Sequence, residues 1–202
     1  MRIGIVGAGN VGTALGRQLA KAGHEVVYGV PDPKSAKYQA LKPRSVKEAA
    51  AFAEVVILAT PWPATEAAIQ SAGSLSGKIV IDCVNPLKSD LSGLAVGYTD
   101  SAAEQVARWA PGARVFKAFN QTGADNMAKP EYGAQKSVMF VAGDDTEAKK
   151  TVLKLVSDVG FEAVDAGPLT NARLLEPLAM LWIYLAFHGL GRNFAFGLLK
   201  RP

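Results

Sequence analysis

The chain has 202 residues, enough for one α/β domain with a small appendix and too few for a catalytic barrel beside a partner domain. Apolar residues (AVILMFWYC) make up 49% and charged residues 20%, which excludes a disordered or collagen-like chain. The formal net charge is only +4, and the single cysteine, Cys83, excludes an internal disulfide and a cysteine-rich zinc site.

The chain begins with a pattern typical of a strand, a turn and a helix. Residues 2–6 form an apolar run, and apolar side chains then recur at helical spacing until Gly23. The segment between them, with glycines at 7, 9 and 12, matches the dinucleotide fingerprint in its expected strand-turn-helix context. We predict a dinucleotide site in which the diphosphate is held at the start of the helix by Gly7, Gly9, Asn10, Val11 and Gly12.

The second predicted strand, residues 25–29, is followed by a basic segment. Asp32 lies 20 residues after Gly12, where NAD sites place a carboxylate for the ribose hydroxyl. Residues 32–48 nevertheless carry five basic and two acidic side chains, an excess of three, which indicates a 2′-phosphate. We predict NADP(H) with contacts from Asp32 and Lys34, and a solvated surface loop is the alternative interpretation of the charge.

Strands and helices alternate along the rest of the chain. Further strands are predicted at 55–59, 78–82, 114–118, 138–141 and 161–165, and their Val/Ile-rich runs suit parallel strands buried on both faces. Capping boxes at Ser45–Glu48 and Ser101–Glu104 begin two helices, and another is expected over 145–159. The pattern predicts an α/β fold with a doubly wound parallel sheet of the Rossmann type, comprising a dinucleotide-binding domain at 1–118 and a small C-terminal αβ extension at 119–202.

Apolar residues dominate the predicted C-terminal helix. The run 178–187 has ten residues, about half of the roughly 20 that a membrane span needs. We therefore expect this helix to pack in the core or against another subunit, which predicts a homodimer with no membrane contact. The glycines near the N-terminus exclude a secretory signal there, and we expect a cytoplasmic protein. The excess basic charge lies beside the predicted cofactor turn, so nucleic acid is not an expected partner.

Several segments together resemble the family of coenzyme F420-dependent NADP oxidoreductases, which transfer a hydride between NADPH and a deazaflavin. The resemblance extends over the whole chain, and its motifs are Gly9-Asn-Val-Gly12, Thr60-Pro-Trp62, Ala142-Gly-Asp-Asp145 and Asp165-Ala-Gly-Pro-Leu169 followed by Arg173. The segment Lys117-Ala-Phe-Asn120 is also similar to the reductase domain of the STEAP metalloreductases, in which this fold delivers NADPH electrons to a flavin.

The resemblance implies where the two reactants lie. It implies a nicotinamide near Thr60, Pro61, Trp62, Asn85 and Pro86, and an acceptor ring near Asn120, Gln121, Thr122 and Gly123. These segments follow predicted strands, and ligands of open α/β sheets bind at the carboxyl ends of the strands. Structural roles are the alternatives: Trp62 covering the sheet edge, Asn85 and Asn120 as loop hydrogen-bonding residues, and Arg173 paired with Glu176 at i, i+3.

The sequence shows no obvious proton donor paired with a carboxylate, as an alcohol or keto-acid dehydrogenase requires. His24 is expected on the surface and His188 in a structural role, and we predict no catalytic side chain and no metal site. A deazaflavin or flavin acceptor (coenzyme F420, FMN or FAD) needs only stacking and orientation. The alternatives are a non-catalytic NADP(H)-binding sensor or subunit, and an imine or carbonyl reductase related to pyrroline-carboxylate reductase.

Overall fold

A computed structural model describes residues 1–201, in which most strands belong to one sheet. The strands of this sheet are β1 (Arg2–Val6), β2 (Glu25–Val30), β3 (Arg44–Ser45), β4 (Val55–Leu58), β5 (Ile79–Asp82), β6 (Arg114–Lys117), β9 (Val138–Gly143) and β10 (Glu162–Asp165). Two further strands, β7 (Glu131–Tyr132) and β8 (Gln135–Lys136), form a separate hairpin. The strand order in the sheet is β10-β9-β6-β5-β4-β1-β2-β3, so the chain winds outward in both directions from β1 and β4.

Helices cover both faces of this sheet. They are α1 (Asn10–Lys21), α2 (Val46–Phe52), α3 (Trp62–Ala72), α4 (Ala102–Trp109), α5 (Ala124–Ala128), α6 (Thr146–Val159) and α7 (Ala172–Leu185). Side chains of α1, α5 and α6 form one apolar cluster with the sheet, and side chains of α2, α3 and α4 form the other. The predicted doubly wound α/β fold is therefore confirmed, with strand positions within a residue or two of those expected.

The sheet departs from the predicted all-parallel arrangement at one junction. Strand β9 runs antiparallel to β6, with Phe116 opposite Gly143 and Lys117 opposite Ala142. The connection over residues 118–137 holds only a five-residue helix and a short hairpin, too little for the crossover that parallel neighbours need. The chain therefore turns back after β6, and the full helix α6 then returns it to place β10 parallel to β9.

Local sequence signals set the starts of the helices. The Ser45–Glu48 capping box is present with both reciprocal hydrogen bonds, and the Ser101 hydroxyl accepts a hydrogen bond from the Glu104 N–H at the start of α4. Asp145 caps α6 in the same way through the N–H of Ala148. These caps satisfy backbone donors that would otherwise lack partners at the helix ends.

Two interpretations of single residues were wrong. The His24 side chain is only 7% exposed, with Nε2 3.0 Å from an Asp158 oxygen, because α6 packs over the end of α1. Arg173 does not pair with Glu176. It forms a two-pronged ion pair with Glu104 on α4, since Glu176 is turned into the protein interior.

One side of helix α7 packs against the rest of the protein. Leu175, Ala179 and Trp182 are buried, as expected for a helix that contacts the core. Within residues 1–201, no helix has both the length and the apolar character required to cross a bilayer.

Candidate functional site

Two cavities flank the glycine turn that joins β1 to α1. The first has a volume of about 610 Å³ and is bordered by this turn, the ends of β2 and β4, and one side of α3. The second, of about 210 Å³, lies on the other side of Asn10, between the loop after β5, the start of α5, and the end of α7. Gly9 lines the first cavity and the next residue, Asn10, lines the second, so the two cavities are adjacent at the start of α1.

Close packing fixes the first and third glycines of the turn. Gly7 has a left-handed φ of 105°, and a Cβ there would lie 2.4 Å from the Ala59 carbonyl oxygen, so any other side chain is excluded. A Cβ on Gly12 would lie 2.1 Å from the Gly7 carbonyl oxygen, because α1 approaches the strand this closely. Both glycines are required by the fold itself.

Gly9 differs from its neighbours because the protein does not require a glycine there. Its φ is −81°, which any residue adopts, and an added Cβ would have no atom within 4 Å. Gly9 borders the first cavity, and a side chain at this position would extend into open space. A bound group approaching the backbone explains a glycine here, as the pyrophosphate does in dinucleotide sites.

The start of α1 offers backbone donors to that group. Thr13 is the first residue whose N–H reaches an intrahelical acceptor, the Gly9 carbonyl, and in the part of the chain that the structure describes no side chain caps this end. The N–H groups of Asn10, Val11 and Gly12 therefore remain open to an anion, which the positive end of the helix dipole also favours.

The first cavity widens beyond the end of β2 into a basic pocket. Its walls there come from Val30 and Pro31, from Lys37 and Tyr38 on a 3-10 turn, and from Ser45 and Lys47 at the start of α2. The ammonium group of Lys37 lies 5.1 Å from the centre of the Tyr38 ring, which holds it beside the cavity.

The two residues that the sequence singled out for this pocket lie outside its walls. Asp32 accepts a hydrogen bond from the Lys34 N–H at 3.0 Å, and both side chains are exposed. The carboxylate therefore stabilises a turn between two prolines.

Small side chains on one side of α3 keep the first cavity open. Ala64, Ala67, Ala68 and Ser71 line it, together with Thr60 and Pro61 from the preceding loop. Their helical spacing is the sequence signal that identifies them. Trp62 is absent from the cavity wall. Its ring packs at a tilt against the Trp109 ring, with centroids 5.4 Å apart, between α3 and α4.

The second cavity is largely apolar. It is lined by Leu87 and Leu91, by Gly123 to Asp125, and by Trp182, Ile183, Phe187 and Arg192. A Cβ on Gly123 would lie 2.6 Å from the Trp182 ring, so the glycine lets this ring pack against the start of α5.

A network of amide side chains underlies the wall between the sheet and this cavity. Asn120 donates both amide protons, to the Asn85 side chain and to the Leu175 carbonyl. Gln121 likewise donates to Asn120 and to the Phe140 carbonyl, and accepts from the Phe140 N–H. Both side chains are 3% exposed, so their amide protons are fully used inside the protein.

The other predicted residues surround this network. The Asn85 side chain donates to the Asn120 carbonyl, and the Pro86 carbonyl accepts from the Ala95 N–H, which fixes the loop after β5. The Thr122 hydroxyl accepts a hydrogen bond from the Asn126 side chain. Of the four residues predicted to contact the acceptor ring, 120–123, Gly123 lines the second cavity.

Beneath this network lies a buried charged cluster that sequence analysis missed. The Lys117 ammonium, at the end of β6, lies 2.6 Å from an Asp82 oxygen and 2.8 Å from a Glu176 oxygen, and it also donates to the Val84 carbonyl at 2.6 Å. Asp82 accepts from the Val84 N–H, and Glu176 accepts from the N–H groups of Ala102 and Ala103. The cluster thereby ties β5, β6, α4 and α7 together.

Burial and neighbouring charge oppose one another in the cluster. Burial alone would lower the pKa of Lys117, but the adjacent Asp82 and Glu176 carboxylates raise it above its ordinary value. Burial raises the pKa of Glu176, and the Lys117 ammonium offsets this only in part. The lysine is therefore a fixed cation at the carboxyl edge of the sheet, and its three hydrogen-bond donors are all used.

Comparison with known proteins identifies relatives along the whole chain. Residues 2–86 match the family described as NADP oxidoreductase coenzyme F420-dependent. The F420-dependent NADP reductase of Methanothermobacter marburgensis is 33% identical over 224 residues, and the alignment covers all of both chains.

Two further proteins align with most of this chain. The metalloreductase STEAP3 of Rattus norvegicus is 31% identical over 186 residues, covering 89% of this chain and 37% of the relative. The crystal structure of a candidate F420-dependent NADP reductase from Arthrobacter sp. fb24 superposes with a TM-score of 0.89 at 33% identity, covering 99% of this chain and 100% of the other.

Proposed function

Since the chain belongs to the family of F420-dependent NADP oxidoreductases, and so to the NADP-dependent oxidoreductases, we propose that it transfers a hydride between NADP(H) and the deazaflavin coenzyme F420. The observation that carries the proposal is the position of the two cavities at the start of α1, where Gly9 lines the first and the next residue, Asn10, lines the second. A dinucleotide held there by its pyrophosphate extends its adenosine half into the first cavity. Its nicotinamide then faces the second cavity across Asn10.

The residues of the first cavity suit NADP(H). Gly9 leaves the space that a pyrophosphate fills, and the free N–H groups of Asn10 and Val11 supply donors to it. The small side chains of α3 leave room for a flat adenine, and Thr60 and Pro61 border the route toward the nicotinamide. We assign the 2′-phosphate to Lys37 and Lys47, in place of the Asp32 and Lys34 predicted from sequence.

The second cavity suits an acceptor that needs no protein acid. Within residues 1–201, the ionisable side chains in its wall are Asp125 and Arg192. When bound, NADPH supplies a hydride that, with one proton from solvent, converts the oxidised deazaflavin to its reduced form and leaves NADP⁺. Trp182, Leu87 and Leu91 in the wall of the second cavity would hold the acceptor ring in a fixed orientation toward the nicotinamide, which would lower the entropic part of the barrier.

We further propose that residues 1–118 bind the dinucleotide and that residues 119–202 complete the acceptor pocket. The first part forms the whole first cavity, and the second part supplies most of the second cavity, from the start of α5 and the end of α7. In this proposal Asn85, Asn120 and Gln121 shape the acceptor wall through their internal hydrogen bonds, while Gly123 contacts the acceptor.

The proposed reaction is tested by the acceptor's visible absorbance. Purified protein is mixed with NADPH and, in separate samples, with oxidised coenzyme F420, FMN or FAD, and the band of each acceptor is followed. Loss of the deazaflavin band alone supports the proposal. Loss of a flavin band alone would identify that flavin, and not the deazaflavin, as the acceptor. NADPH binding without loss of any band would contradict the proposed reaction.

Coenzyme preference provides a second prediction. Replacing Lys37 and Lys47 together by alanine removes both cations from the wall of the first cavity, so kcat/KM for NADPH relative to NADH should fall about tenfold, equivalent to about 1.4 kcal/mol. Steady-state kinetics with both coenzymes measures the ratio. Lys34→Ala, which removes a nearby lysine outside the cavity, is the matched comparison, and a larger loss there would support the sequence-based assignment instead.

A further inference from the structure

We propose that Arg192, an exposed residue in the wall of the second cavity, binds an anionic group on the side chain of the acceptor, either a phosphodiester or a carboxylate. This assignment rests on the function proposed above, because it concerns the same cavity. It makes Arg192 the residue that distinguishes an acceptor with an acidic side chain from one that has only a ring system and a ribityl chain.

The chain beyond α7 is anchored beside the second cavity. Left-handed φ angles at two glycines turn it back at the end of the helix. The Phe194 carbonyl then accepts a hydrogen bond from the Asn126 side chain at 2.7 Å and one from the Trp182 ring N–H at 2.9 Å. The Phe194 ring also stacks on Trp182, with centroids 5.2 Å apart. Arg192 lies two residues before this anchor, so its backbone is held close to the cavity.

The Arg192 guanidinium is positioned by an aromatic ring. It lies 5.5 Å from the centre of the Phe187 ring, and both side chains line the second cavity. Across residues 1–201, the arginines whose side chains form ion pairs or hydrogen bonds are Arg2, Arg108, Arg114 and Arg173. The donors of Arg192 are therefore available to a ligand, and their planar fork matches a carboxylate or a phosphate.

The charges around the cavity direct an anion toward Arg192. The cavity adjoins a groove of about 450 Å³, with which it shares Leu91, Ile183 and Phe187. Among the described residues, the wall of this groove contains the carboxylate of Asp90 and no Lys or Arg. Hydrogen bonds from Ser92 lower the pKa of Asp90, so this group is ionised at neutral pH and disfavours an anion in the groove. An acidic side chain of the acceptor is therefore expected on the Arg192 side.

Asp125 is the other charged side chain in the wall of the second cavity. It is exposed in the first turn of α5, so water and salt screen its repulsion of a bound anion. The opposite charges of Asp125 and Arg192 allow a test of sign. Removing the carboxylate should strengthen the binding of an acidic acceptor, and removing the guanidinium should weaken it.

Binding of two deazaflavins tests the assignment without turnover. Oxidised coenzyme F420 carries a phosphodiester and carboxylates beyond its ribityl chain, and the phosphate-free deazaflavin has the same ring system and ribityl chain without them. Each is titrated into protein saturated with NADP⁺, which has no hydride to donate, and the Kd is measured from the anisotropy of deazaflavin fluorescence. At low salt the wild type should bind F420 at least about tenfold more tightly than the phosphate-free compound.

Four variants identify the residue responsible. Arg192→Met should raise the Kd for F420 about tenfold and change that of the phosphate-free compound by less than about twofold, whereas Arg192→Lys should lie between Arg192→Met and the wild type. Asp125→Asn should lower the Kd for F420 about twofold. Lys88→Met is the matched control, since Lys88 is an exposed cation on the loop after β5 that lines neither the cavity nor the groove. All four side chains are exposed, so thermal unfolding midpoints should not change.

Two results would overturn the assignment. One is an equal affinity of the wild type for the two deazaflavins, or an equal loss of affinity for both in Arg192→Met, because the arginine would then not bind the acidic side chain. The other is a larger loss in Lys88→Met than in Arg192→Met, which would place the acidic side chain away from Arg192.

The 5′-phosphate of the deazaflavin identifies the acidic group that is bound. If this compound binds to the wild type as tightly as F420 does, Arg192 binds the phosphate. If it binds as weakly as the phosphate-free deazaflavin, Arg192 binds a carboxylate further along the side chain.

The assignment and the proposed function can fail separately. If F420 binds with the expected dependence on Arg192 but is not reduced by NADPH, the anion site stands and the proposed reaction fails. If both deazaflavins are reduced with equal kcat/KM, the reaction stands and the role of Arg192 fails. If neither deazaflavin binds, both fail.

Discussion

Lys117→Met should lower the free energy of unfolding by about 3–5 kcal/mol, because it leaves the buried Asp82 and Glu176 carboxylates without their cation. Domains of this kind have total stabilities of about 5–15 kcal/mol, so the loss is a large share. The thermal midpoint should fall by about 6–20 °C for a chain of this size. Urea unfolding followed by circular dichroism, with calorimetry for the midpoint, measures both quantities.

Lys150→Met is the matched control. Lys150 also pairs with a carboxylate, Glu147, at 2.8 Å, but both side chains are more than two thirds exposed. The control should therefore change stability by less than about 1 kcal/mol. A Lys117→Met protein as stable as the control would mean that the two carboxylates do not need the ammonium, for example because they bind protons when it is removed.

Gly9→Val should abolish dinucleotide binding while the fold remains intact. The side chain enters the space at the glycine turn where no protein atom lies within 4 Å, so it displaces the pyrophosphate and nothing else. We expect the Kd for NADPH to rise at least about a hundredfold, equivalent to about 2.8 kcal/mol, with an unchanged unfolding midpoint. Fluorescence titration with NADPH and thermal unfolding measure the two effects.

Two other glycines make this experiment specific. Gly97→Val introduces the same side chain at a glycine that also has free space around it but lines neither cavity, and it should bind NADPH normally. Gly12→Ala should instead destabilise the protein, because its Cβ meets the Gly7 carbonyl oxygen at 2.1 Å. If Gly9→Val bound NADPH as tightly as the wild type, the proposed position of the pyrophosphate at this turn would be wrong.

Signals that are local in sequence predicted much of this molecule. Strands such as β4 and β5 are recognisable in the sequence as apolar runs rich in Val and Ile, and the capping residues Ser45 and Ser101 mark the helices that follow them. The glycine turn was equally readable, because its three glycines are separated by fixed numbers of residues and flanked by a strand and a helix. In each case the physical cause lies within about a dozen neighbouring residues.

The features that sequence reasoning missed depend on contacts between distant segments. Asp82, Lys117 and Glu176 are separated by 35 and 59 residues, so no spacing rule brings them together, and each alone looks like a solvated charge. The reversal at β9 depends on how the connection after β6 packs. The basic pocket illustrates the same limit: the excess of lysines was visible, but which of them faces the cavity depends on the 3-10 turn at Lys37 and on the start of α2.

Residues 120 and 121 also bear on how the range of acceptors could be changed by redesign. Substituting Asn120 removes its side-chain hydrogen bonds to Asn85, in the loop after β5, and to the Leu175 carbonyl. Substituting Gln121 removes the side-chain partner of both the N–H and the carbonyl of Phe140. A new acceptor is therefore better accommodated at Leu87, Leu91 or Ile183, where side chains of different size change the shape of the cavity without breaking a hydrogen bond. Libraries that vary these three positions should retain folded members, whereas libraries at 120 and 121 should be depleted of them.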